Sequence, residues 1–166
     1  TWEKSAITSK ERSKAYHHNA KFVLFTGPHN VGKRNIAKAL EQKLFNSGFK
    51  VYYLGLSNIE KGLDADITKY VENYDERIRR LGELARIMTD SGQIFITTID
   101  EADDFDIEKL KLLNEPNEIL VINIGTNNFS KYKVDLELTK NEKVETAQDK
   151  IYQLLQNKSI ILEYYI

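Results

Sequence analysis

Apolar residues along the chain fall into two periodicities. Four short runs, 22–26, 51–54, 94–99 and 119–124, are apolar at nearly every position, the pattern of strands buried on both faces of a sheet. Between them the spacing changes to that of amphipathic helices. One is expected from Gly32 or Lys33 to Asn46, with Ile36, Ala37, Leu40 and Leu44 on a single face, stopped by Ser47-Gly48. A second, about 75–90, places Ile78, Leu81, Leu84, Ala85 and Met88 inward and ends at Ser91-Gly92. A short third is predicted near 107–113, halted before Pro116, and a last over 144–156 with Ala147, Ile151, Leu154 and Leu155, following a weak strand at 135–138. Strands alternating with helices predict an α/β fold whose parallel sheet is covered on both faces.

The turn after the first run carries the candidate chemistry. Gly27-Pro28-His29-Asn30-Val31-Gly32-Lys33-Arg34 follows a buried strand and opens a helix. That is the context of a phosphate loop, whose backbone N–H groups and lysine surround phosphate oxygens at the positive end of a helix. Gly27, His29, Asn30, Val31, Gly32, Lys33 and Arg34 are the expected phosphate-binding positions. One letter departs from the motif: Arg34 stands where Ser or Thr would hold Mg²⁺. A guanidinium cannot ligate a cation, and a positive charge at a helix N-terminus is unfavourable by about 0.3–1 kcal/mol unless an anion accompanies it. A nucleotide phosphate is therefore the candidate ligand, and Mg²⁺ is disfavoured; ATP enters as the candidate cofactor only through the resemblance described below.

Composition narrows the partners. Lys plus Arg number 24 and Asp plus Glu 25, a net charge of −1, so no global field draws the chain to nucleic acid or to a membrane. There is no cysteine, hence no disulfide and no thiolate metal site. At 166 residues one domain is expected, with 1–20 as a lead-in and 21–166 as the core. No apolar run reaches the roughly 20 residues that span a bilayer, and the N-terminus has no signal-peptide segment, so a soluble cytoplasmic location is expected. The chain begins Thr1-Trp2 and its only methionine is Met88, the expectation being a piece of a longer polypeptide.

The residues around the loop resemble the adenylylsulfate kinase family. Trp2, Ser5-Ala6-Ile7-Thr8 and Glu11-Arg12 are similar to the family's lead-in. Ala37, Leu40-Glu41, Lys43-Leu44-Phe45 and Gly48-Phe49-Lys50-Val51-Tyr52 resemble its first helix and second strand, and Ile78-Arg79-Arg80-Leu81-Gly82-Glu83-Leu84-Ala85 resembles a signature helix. Asn114-Glu115-Pro116 lies where the family often has a Glu-Pro turn. The resemblance implies a phosphate-loop kinase fold with a five-stranded parallel sheet, and transfer of a phosphoryl group from ATP to the 3′-hydroxyl of adenylylsulfate. It also implies a fused or associated sulfate adenylyltransferase, and it allows a homodimer.

Departures from the family pattern fall on its chemistry. Where it has Asp-Gly-Asp-Asn-x-Arg-x-Gly-Leu, this chain has Gly55-Leu56-Ser57-Asn58-Ile59-Glu60-Lys61-Gly62-Leu63, keeping only Asn58 as a substrate-binding candidate. The family's Arg and Asn ahead of the signature align with Tyr74 and Arg77, and its Ser-Pro-Tyr-Arg with Glu101-Ala102-Asp103-Asp104, acids expected to repel phosphosulfate. Only 126–134 separates the fourth strand from Asp135, so the family's lid is expected to be deleted.

The resulting expectation is a degenerate kinase domain with weak or no activity and a residual nucleotide-binding or regulatory role. Two alternatives stay open. One is an active kinase or ATPase in which Asp100, at the end of the third strand, organises the metal in place of the missing hydroxyl. The other is a structural interaction domain with an empty loop. Asp100, Glu101, Asp103, Asp104 and Asp106 crowd together, and that pattern favours a solvated acidic loop over a metal-organising carboxylate. His17 and His18 lack further ligands at metal spacing. The apolar end 160–166 is expected to add a strand or to dock on a partner.

Overall fold

A computed structural model of the chain describes residues 2–55, 61–64, 66 and 73–162. The elements are α1 (Ser9–Tyr16), β1 (Lys21–Gly27), α2 (Lys33–Asn46), β2 (Val51–Tyr53), α3 (Tyr74–Asp90), β3 (Ile94–Asp100), α4 (Asp104–Asn114), β4 (Ile119–Ile124), β5 (Leu136–Leu138) and α5 (Val144–Asn157). The strands form one parallel sheet of five in the order β2-β3-β1-β4-β5. This is the doubly covered parallel sheet that the apolar runs predict.

Alternation along the strands divides the core into two layers. Val23 and Phe25 of β1, Ile94 and Ile96 of β3 and Ile122 of β4 pack with Ile36, Leu40 and Leu44 of α2 and Ile151 and Leu155 of α5. Phe22, Leu24, Phe95, Ile99 and Val121 face the other way, onto Ile78, Leu81 and Ala85 of α3 and Ile107 and Leu110 of α4. Gly82 lies in the interior of α3, where glycine typically costs about 0.5–1 kcal/mol relative to alanine. The close approach of α4 explains it: a Cβ there would stand 2.7 Å from Leu113 Cβ.

Two helices differ from expectation. α1 has no counterpart among the periodic segments because it buries none of its residues. A capping box defines its start, with the Thr8 hydroxyl accepting from the Glu11 N–H and the Glu11 carboxylate from the Thr8 N–H, both at 3.1 Å. α4 begins at Asp104, three residues ahead of the predicted 107, because Asp103 caps it: Asp103 accepts the Asp106 N–H at 2.9 Å and Asp106 accepts the Asp103 N–H at 3.1 Å. These carboxylates complement the positive end of the helix.

Residues 160–161 lie against the lead-in. Ile160 and Ile161 are buried, Ile161 forms an antiparallel bridge with His18, and the Asn19 N–H donates to the Ile160 carbonyl at 2.7 Å. Packing on this chain is thus the outcome at 160–161, whereas residues 163–166 lie outside the described part. Among the described residues, no helix is long and apolar enough to cross a membrane.

His18 holds this seam together. It is fully buried, its ring meets Phe49 edge-on at 5.5 Å, and its Nε2 accepts the Lys50 N–H at 3.0 Å. Nδ1 must then carry the proton, which it donates to the Asn19 carbonyl at 3.0 Å. A second proton would remove the acceptor that Lys50 uses. Burial is the main force lowering the imidazole's ionisation below its ordinary 6.5, and the positive charge of Lys50 adds to it. Because the folded value is the lower one, the unfolded chain takes up the proton first as pH falls, so stability drops from about pH 6.5 downward. Thermal unfolding followed from roughly pH 7.5 to 5.5 is expected to show a falling midpoint in the wild-type chain and a flatter profile in His18→Gln; equal slopes would contradict this role.

Candidate functional site

β1 ends inside the sheet at Gly27, opposite Asp100 in the parallel register with β3. Its φ is +136°, and a Cβ at this position would lie 2.0 Å from the Ile124 carbonyl oxygen, so glycine alone lets β1 finish against β4. The Gly27 carbonyl accepts the Glu101 N–H at 2.9 Å, and the Thr26 hydroxyl accepts the Ala102 N–H at 2.9 Å. These bonds fix the exits of β1 and β3 side by side. Asn30 and Gly32 then turn through positive φ, 62° and 89°, and Gly32 caps α2 without a side-chain bond. The N–H groups of Lys33, Arg34 and Asn35 have no acceptor among the described residues and open at the positive end of the helix.

Lys33 is 6% exposed, and its ammonium is surrounded by three oxygens. Nζ donates to the Gly27 carbonyl at 3.2 Å and the Pro28 carbonyl at 2.6 Å, and pairs with Asp100 Oδ1 at 2.8 Å. Asp100 Oδ2 lies 2.9 Å from His29 Nδ1. Burial acts to raise the Asp100 ionisation, but the hydrogen bonds and charges of Lys33 and His29 outweigh it and hold the carboxyl below the usual range.

The reading of residues 100–106 as a solvated acidic loop is therefore corrected. Asp100 faces the phosphate loop, Asp103 caps α4, and Asp106 is buried and accepts the Tyr74 hydroxyl at 3.0 Å. Asp104 accepts the backbone N–H groups of Ser130, Lys131 and Tyr132 at 3.1, 2.7 and 3.4 Å. It anchors the short connection between β4 and β5. Charge density along a sequence does not reveal that these four aspartates have separate sets of N–H, O–H or cationic donors.

Around the loop is a cleft of about 450 Å³, bordered by His29, Asn30, Gly32, Lys33, Arg34 and Asp100 and also by Tyr53, Gly55 and Thr98. Tyr53 and Thr98 are additions to the sequence-based set. Thr98 was legible in principle, since period-two alternation puts it on the face of Ile96 and Asp100. The Arg34 side chain is exposed and has no hydrogen bond or ion pair among the described residues. Val31 is half-buried beside the apolar layer of α2, and Asn58 lies outside the described residues.

Phosphate fits this site, because unpaired N–H groups and a buried lysine converge on an open cleft. Mg²⁺ fits less well: Asp100 is a suitable carboxylate, but position 34 supplies no oxygen, and the described residues contain no group of three His, Cys, Asp or Glu able to hold a metal. The signature arginines are occupied elsewhere. Arg79 pairs with Glu76 and Glu83, and Arg80 with Glu76, Asp64 and Asp66, their hydrogen bonds bringing the Glu76 carboxyl down to about 2.

A five-stranded parallel sheet with a phosphate loop between its first strand and the following helix defines a phosphate-loop nucleotide-binding α/β protein. The family model for adenylylsulphate kinase matches residues 19–102, half of the chain, and the chain belongs to that family. The adenylyl-sulfate kinase of Staphylococcus epidermidis is 34% identical over 122 residues, 74% of this chain and 61% of the relative. That of Buchnera aphidicola is 30% identical over 152 residues, 92% of this chain and 66% of the relative. The chain thus spans about 61% of the length of the Staphylococcus relative.

Among solved structures, the fold is similar to the APS kinase CysC of Mycobacterium tuberculosis in complex with AMPPNP and APS. The TM-score is 0.74 at 19% identity, covering 84% of this chain and 99% of that one. The hexameric APS kinase of Thiobacillus denitrificans gives 0.78 at 19% identity, over 93% of this chain and 33% of that one.

The two loop glycines are expected to respond differently to a methyl group. Gly27→Ala must part β1 from Ile124 and should lower stability by about 2 kcal/mol or more. Gly32→Ala has nothing within 4 Å of the new Cβ and bears only the left-handed backbone, about 1–2 kcal/mol. Urea unfolding of the two variants checks the order.

Proposed function

We propose that this chain is an adenylylsulfate kinase-type domain of sulfate activation that keeps a seat for nucleotide phosphate and has weak or no kinase activity. The observation that carries this reading is the pairing of a buried Lys33 and open α2 N–H groups with an arginine at position 34. The first two provide for phosphate binding, with Gly27, His29, Asn30, Val31 and Gly32 shaping the loop and Arg34 at its mouth. The third removes a metal-binding oxygen. Phosphoryl transfer depends on positioning and charge stabilisation, and losing one such group typically lowers the rate about 10²–10³-fold. Adenylylsulfate belongs to the same reading as the second ligand, as do Asn58 as a contact to it, a cytoplasmic setting and a fused or associated sulfate adenylyltransferase.

One observation favours an active enzyme as the second reading. Asp100 ends the strand beside the loop and lies 2.8 Å from Lys33, where phosphate-loop enzymes carry the acid that holds Mg²⁺. Bound there, the metal would neutralise phosphate charge, and Asp100 would hold it through water. Thr98 lies on the same face of β3.

Calorimetric titration with ATP and ADP, with and without Mg²⁺, and with adenylylsulfate separates the readings. The first expects nucleotide binding that Mg²⁺ does not strengthen, weakened at least about tenfold by Lys33→Ala, with negligible turnover. Binding strengthened by Mg²⁺, with formation of the 3′-phospho product abolished by Lys33→Ala, would establish the second. No heat with any ligand would overturn both and leave a structural domain with an empty loop.

A further inference from the structure

The buried Lys33 ammonium has three oxygens around it: it donates to two carbonyls of its own loop and is ion-paired with Asp100 at 2.8 Å. A phosphate oxygen that approaches that nitrogen must compete with one of the three. The Gly27 carbonyl is fixed, because it also accepts the Glu101 N–H and belongs to a strand paired on both sides. The Pro28 carbonyl is main chain of the same tight turn. Asp100 is the one acceptor on a side chain, and that side chain is 46% exposed at the end of β3. Its second oxygen is held by His29, itself 76% exposed on the loop, so the carboxylate can leave the lysine while keeping its partner.

We infer that Asp100 is an internal competitor for the phosphate seat: its carboxylate occupies Lys33 in the free protein and must be displaced for an anionic ligand to bind. This deepens the phosphate-seat reading and rests on it. Free phosphates meet a lysine that is already neutralised and a carboxylate of their own sign, so charge alone makes them bind weakly.

The experiment is equilibrium titration of the whole chain with inorganic pyrophosphate and with ADP, in excess chelator, for the wild type, Asp100→Asn, Asp100→Ser and Lys33→Ala. Thermal unfolding confirms which variants are folded, and Asp100→Ser carries the test if the isosteric variant is not. Removing the carboxylate charge is expected to tighten binding of both probes about tenfold to a hundredfold, the range over which a neighbouring like charge shifts an ionisation, while Lys33→Ala abolishes it. Binding by the Asp100 variants equal to or weaker than wild type would overturn the inference and leave the phosphate seat standing. Absence of binding in the wild type and in every Asp100 variant would overturn the seat itself, and the inference with it.

Discussion

The Gly27 carbonyl accepts from the Glu101 backbone and from Lys33 Nζ, while the Gly27 Cα lies against the Ile124 carbonyl. This crowded point is where the three central strands finish together, and the geometry of the cleft depends on it. β1 is paired on both sides and is almost wholly buried, so it cannot shift without breaking both ladders. Because it cannot shift, the turn after it begins at a fixed place. The α2 N-terminus, the Lys33 side chain and the Asp100 carboxylate are all referenced to that place through covalent connection or parallel register.

Much of this was legible because burial on both faces leaves an unmistakable pattern. The runs around Val23, Ile96 and Val121 could be nothing but interior strands, and glycine and lysine spacing between a strand and a helix identified the turn. Elements without an apolar stripe were less visible. α1 is announced only by Thr8 and Glu11, and α4 extends by a turn because Asp103 and Asp106 cap it. The acids around 100–106 were misjudged for a related reason. A sequence reports how many charges are present, whereas their effect depends on direction, and four of these carboxylates point at four different sets of donors.

The signature helix shows why family resemblance survives more strongly in scaffold than in chemistry. Gly82 is required by the approach of Leu113, and Ile78, Leu81 and Ala85 fill the layer under α3. Changing any of them disturbs close packing, which a protein interior tolerates poorly. Arg79 and Arg80 are free of that constraint, and their guanidiniums have been taken up by Glu76, Glu83 and Asp66 and by the buried Asp64. The exposed pairs among these contribute little stability. Their relevance is that two cations of the motif are neutralised by the chain itself.

The same accounting applied to the loop makes sense of Arg34. With Lys33 matched by Asp100 and its own carbonyls, the buried cation contributes little net field to the cleft. Asp104, whose charge would otherwise oppose an anion, is compensated by three backbone N–H groups of the β4–β5 connection. Among the described residues Arg34 is then an uncompensated charge at the mouth, placed at the positive end of α2 where a cation is normally disfavoured. An anion at the α2 N-terminus would relieve that repulsion and would meet the helix N–H groups and the guanidinium together. In the reading proposed above, the arginine that stands in place of a metal-binding oxygen would also supply a second positive group for phosphate, so one residue would both withdraw catalytic support and favour an anion.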